Sequence, residues 1–115
     1  MNRISGNVNA VIQVKTTDIN EIGERISAWT DTQTLRGYLD MAAGDAKRMA
    51  YNAKVVESTH VFLCDYVPLA ENVNTEDCRM LIGSDKYDIT YIDDPMGLHY
   101  HLEIFLKFTG GIVNG

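Results

Sequence analysis

The sequence is poor in the residues that would build a nucleic-acid binder, a disulfide scaffold or a zinc knuckle. Ten lysines and arginines stand against sixteen acidic residues, for a formal charge of −6 and an isoelectric point near 4.8. The longest basic run is the pair Lys47 and Arg48. Neutralising phosphates takes a clustered basic patch, so the charge argues against a nucleic-acid binder of the usual kind and opposes a single-strand-binding barrel. The two cysteines, Cys64 and Cys78, form no CxxC pattern, which removes thiol-redox and zinc motifs. Each sits in a strand-like run and reads as a buried, reduced thiol. No apolar run approaches the roughly 20 residues of a membrane span. The opening MNRISGNVNAVIQVK lacks the apolar stretch of a signal peptide. GxSxG, P-loop, HExxH and GxGxxG patterns are missing too, so no enzyme class announces itself and none is expected.

What remains is an ordinary globular composition, 45% hydrophobic and 23% charged. A length of 115 residues implies one domain, 1–115, able to bury a core without staples. The ends, about 1–7 and 109–115, are expected to be flexible; the tail TGGIVNG is rich in glycine.

Alternation of apolar and polar residues dominates the chain. NAVIQVK (9–15) reads as a strand. TTDINEIGERISAWTD fits a hairpin arm, a long loop or a short turn of helix broken by Gly23. In TQTLRGYLDMA, Leu35, Gly37, Leu39 and Met41 face one way, and Gly37 marks a bend or a close backbone approach. ESTHVFLCDYV places His60, Phe62, Cys64 and Tyr66 on one side. PLAENVNTED is a polar connection. CRMLIGSDKYDITYID is the strongest hairpin signal, two β-rich runs joined around GSDK. In LHYHLEIFLKF, Tyr100, Leu102, Ile104, Leu106 and Phe108 make one apolar face. The fold class expected is mainly β: a small antiparallel barrel of about six strands, with one short helix or loop excursion.

That excursion is AGDAKRMAYNAK, where the period changes to three and four at Ala46, Met49, Ala50 and Ala53. Its stripe is too narrow for a major core element.

Two readings compete for HYHLE. His99, His101 and Glu103 two apart on one strand face offer imidazole, imidazole and carboxylate, a set that zinc or ferrous iron uses. Against that, the face also carries Phe105 and Lys107, and His60 is the only further histidine. The favoured reading is the outward face of a strand, with no metal and no cofactor. The carboxylates of YIDDP (91–95) read as a solvated turn. Trp29, the only tryptophan, reads as a core or rim residue, or a partner contact.

The order of these pieces resembles the head closure, or head–tail joining, proteins of long-tailed bacteriophages. AWTDTQTLRGYLDMAAGDAKRMAYNA, STHVFLCDYV, EDCRMLIGSDKYDITYIDDP and LEIFLKF carry the resemblance, over roughly residues 29–108. The resemblance rests on order and spacing, without a catalytic signature. The first thirty residues are generic, and PLAENVNTED is longer than that family's connection.

The resemblance implies a structural virion protein of the head–tail connector, made and assembled in the host cytoplasm. Copies would form a ring below the portal and its adaptor, close the DNA exit after packaging, and offer a platform to a tail completion or terminator protein. Packaged DNA would pass without specific binding, as the acidic charge suits. In that picture the excursion 42–54 is the channel plug, with Gly44, Asp45, Lys47, Arg48, Met49, Tyr51 and Asn52 as its gating residues. Trp29, His99, His101 and Phe105 are the candidates for subunit or partner contact. The alternative is a small metal-binding barrel enzyme using His99, His101 and Glu103.

Overall fold

Residues that alternate in the sequence alternate in space. The computed structural model describes residues 6–41 and 57–111. These form six strands: β1 (Val8–Ile19), β2 (Arg25–Met41), β3 (His60–Asp65), β4 (Cys78–Ile82), β5 (Asp85–Asp93) and β6 (His101–Gly111). One sheet closes on itself in the order β1-β2-β3-β6-β5-β4. Every neighbouring pair is antiparallel. Closure satisfies the backbone groups that an open sheet would leave along its edges.

The inward residues are those the period selects. Ile12, Phe62, Met80, Ile104 and Leu106 are fully buried. Each is worth about 1.5–3 kcal/mol relative to an exposed side chain. Cys64 and Cys78 are free thiols within this core, as expected.

Gly37 makes the closure possible. A Cβ there would stand 2.1 Å from the carbonyl oxygen of Leu63 on β3. Gly6 also packs closely on it: a Cβ built on Gly6 would stand 2.3 Å from the Cα of Gly37. The close approach read from the sequence is therefore present.

The β4–β5 hairpin turns at Gly83 and Ser84, between the paired Ile82 and Asp85. Gly83 has φ of 61°, which glycine adopts without strain.

The ambiguous segment after Lys15 is a hairpin arm. β4 pairs with β1 only over Ala10–Val14. β3 pairs with β2 only over Gly37–Met41. Lys15 N–H still donates to Asp77 O (2.7 Å), just ahead of β4; beyond it, among the described residues, 16–19 and 25–28 pair only with each other. Asn20 closes the arm: its side-chain oxygen accepts from the backbone N–H groups of Ile22 (3.1 Å) and Glu24 (2.8 Å).

Three expectations are corrected. The connection PLAENVNTED (68–77) is more than a polar loop, because Leu69 and Val73 pack against the core, as do Tyr66 and Val67 just before it. Gln33 holds it from β2, donating to Pro68 O (3.1 Å) and accepting from Ala70 N (3.0 Å). Tyr100 and Phe108 are 57% and 43% exposed rather than part of a continuous buried face. Tyr100 precedes β6, and Phe108 lies where β6 leaves the core. Finally, Thr109–Gly111 are strand residues, since Gly111 pairs with Asp85. The expected helix and plug over 42–54 lie outside the described residues.

Candidate interaction surfaces

The HYHLE stretch does not place its two imidazoles on one strand face. His99 has φ of 58°, a left-handed conformation that breaks the alternation before β6 begins. A three-residue 3-10 turn, Pro95–Gly97, precedes it, with Met96 also at φ of 58°. The His99 ring stacks on Tyr66, centroids 4.4 Å apart, and its Nδ1 bonds the Asp94 carboxylate. Asp94 also accepts from the His99 backbone N–H at 3.0 Å.

His101 lies in β6 and bonds Glu103 through Nε2 at 3.2 Å. The two histidines thus serve two different carboxylates. Among the described residues no three His, Cys, Asp or Glu side chains converge to hold a metal ion. The ligand set drawn from period 2 required His99 to be extended, and the turn geometry forbids it.

The outward residues at this corner are acidic. Asp93 faces Glu103 directly across β5 and β6. Burial, then the charges of Glu103 and Asp94, push the Asp93 carboxyl above its usual range, while His101 pulls the other way. The Asp93 carboxylate of YIDDP is therefore partly desolvated.

Phe105 is not on an open face. It is 8% exposed. The register of β5 against β6 shifts between Ile89 and Tyr91. This bulge lets the Tyr91 ring lie 6.2 Å from that of Phe105. Thr90, the extra residue, donates its hydroxyl to Phe105 O at 3.1 Å. A bulge of this kind leaves no mark in an apolar alternation.

Trp29 belongs to the arm and is 38% exposed. It pairs with Lys15, and the Arg79 guanidinium sits 4.2 Å from its ring centre. Arg79 Nε also donates to Gln13 (2.8 Å), whose amide donates to Asp31 (2.7 Å). These contacts tie the arm's root to β4. Beyond them the arm is exposed, with Ile19 at 71%, Ile22 at 77% and Ile26 at 49%. Sequence reasoning singled out Trp29 but missed these isoleucines. Their spacing around Asn20 and Gly23 was the signal, because apolar residues at a hairpin tip have no core to reach. A groove beside Trp29, lined by Glu57, Glu76, Asp88 and Lys107 among others, mixes charges without a convergent polar set.

Fold and surfaces together define a class: a small closed β-barrel carrying a projecting two-stranded arm. A family model described as phage head completion protein matches residues 1–107. The chain belongs to the phage head completion protein family, and is a structural component of the phage head. The solution structure of protein SF1141 from Shigella flexneri 2a is similar in fold, with a TM-score of 0.69. The two are 18% identical, and the match covers 94% of this chain and 96% of that one. At such identity the likeness bears on the fold alone. No curated protein matches the chain.

Proposed function

We propose that this protein works at the head–tail connector, as a ring beneath the portal and its adaptor. The ring closes the DNA exit after packaging and presents a platform to the tail completion or terminator protein. The observation that carries this reading is the family match across residues 1–107. The acidic charge of −6 supports it, since a channel wall that must pass DNA should not hold phosphates. The role is structural rather than catalytic.

The gating residues Gly44, Asp45, Lys47, Arg48, Met49, Tyr51 and Asn52 remain part of the proposal. Their segment lies outside the described residues, which stop at Met41 on β2. Met41 pairs with His60, at the end of the barrel opposite the arm. An excursion rooted there would occupy one mouth while the arm projects from the other.

The decisive experiment replaces Gly44–Asn52 with a short glycine–serine linker. The barrel should still fold and dock on the neighbouring connector ring, while particles carrying it leak packaged DNA. Particles that retain DNA normally would refute the plug. The mass of the assembly with and without the neighbouring connector ring tests the ring itself. The isolated chain should be mainly monomeric.

A further inference from the structure

We propose that the outward face of the β1–β2 arm docks on the β5–β6 flank of a second copy of this chain. The inference rests on the ring reading above and names the contact that would build it.

The pairs Lys15–Trp29, Thr17–Ser27 and Ile19–Arg25 stand on one side of the arm. Arg79 lies at its root, over Trp29. Three of the chain's ten basic residues thus share one strip of a protein with net charge −6. A two-stranded ribbon with water on both faces is marginal by itself. Its exposed Ile19 and Ile22 also gain from being covered.

The complement is on the far flank. There Asp93 and Glu103 face each other across β5 and β6, like charges opposed, with Asp94 alongside. In the order β1-β2-β3-β6-β5-β4, this flank is across the barrel from the arm. Both surfaces lie at the same end: the arm leaves beyond Val14, β5 ends at Asp93 and β6 begins at His101. The barrel stands between them, so the contact joins two copies. It is heterologous, repeats in one direction, and closes into a ring when the rotation allows. A protein surface fits the arm better than DNA does, because its tip carries Ile19, Ile22, Glu21 and Glu24.

The test is a charge swap. One variant carries Lys15→Glu and Arg25→Glu, the other Asp93→Lys and Glu103→Lys. Amide spectra of the parent, from dilute to millimolar at low salt, should shift together on both strips. Each variant alone should self-associate at least about tenfold more weakly, because like charges then meet. An equimolar mixture should recover the parent's association, since both interfaces again pair opposite charges. If the flank variant fails to fold, Asp94→Lys with Glu103→Lys replaces it. Parent shifts absent from these strips, variants that associate like the parent, or a folded mixture that does not recover would each overturn the contact. Assembly on the neighbouring connector ring separates the two ideas. Rings from the parent and equally from each variant alone sink the arm contact but keep the ring. No ring from the parent sinks the ring reading.

Discussion

The guanidinium of Arg79 lies 4.2 Å from the centre of the Trp29 ring, joining β4 to the arm across β1. Arg79→Met should loosen the arm's root and leave the barrel folded. Loss of a cation–π contact at a partly exposed site costs about 0.5–1 kcal/mol. Trp29 is the only tryptophan, so its fluorescence reads the root alone. Emission should shift to the red, and amide exchange should quicken over 15–31. An unchanged spectrum with unchanged exchange would refute the pin.

Gly37→Ala should destabilise severely, by more than about 3 kcal/mol, because backbone rather than a flexible side chain blocks the new methyl. Gly83→Ala is the control: nothing lies within 4 Å of its Cβ, so only the φ of +61° opposes it. That should cost about 1–2 kcal/mol. Denaturant midpoints distinguish the two, and equal losses would refute the crowding argument.

Burial, then the nearby Asp65 charge, pushes the Cys64 thiol up to about 11 from 9.0. The folded state therefore keeps its proton where the unfolded chain has lost it. This contribution to stability is complete below pH 9 and lost as pH rises towards 11. Tyr87, also raised by burial and then Asp85, acts in the same sense at higher pH. Cys64→Ala should flatten the alkaline fall in unfolding free energy between pH 9 and 11. An unchanged slope would count against the assignment.

Asp93 has its carboxyl raised by burial, Glu103 and Asp94. The folded state holds a proton more tightly than the unfolded one, so ionisation costs stability as pH climbs above the ordinary carboxylate range. Asp93→Asn should stabilise the protein at neutral pH. The gain should vanish in acid, where the native side chain is already neutral. Thermal melts across pH check this, and destabilisation at neutral pH would contradict it.

His99→Ala with His101→Ala should leave the barrel folded, costing about 0.5–1.5 kcal/mol for the lost stack of His99 on Tyr66 and about half a kcal/mol or less at His101. Equilibrium dialysis should find no difference in bound zinc between parent and variant. Stoichiometric zinc in the parent, lost in the variant, would revive a metal-site reading.

Much of this protein is determined by the sequence alone, because period-2 alternation is local. Phe62, Cys64, Leu102, Ile104 and Leu106 announce their side of the sheet within a few residues. The β4–β5 hairpin is written in its glycine turn, and the crowding of Gly37 in its place inside a strand. Only tertiary structure decided the rest. That β3 lies against β6, and β1 against β4, depends on partners distant in the chain. The pairing of β1 with β4 stops at Val14, opposite Thr30 of β2, which leaves the hairpin from Lys15 to Trp29 to project as an arm. His99 stands outside β6 with a left-handed backbone, two residues after the Pro95–Gly97 turn. Phe105 was buried because a bulge at Thr90 moved Tyr91 against it. Each is a consequence of which backbone meets which, and alternation says only which side chains face together.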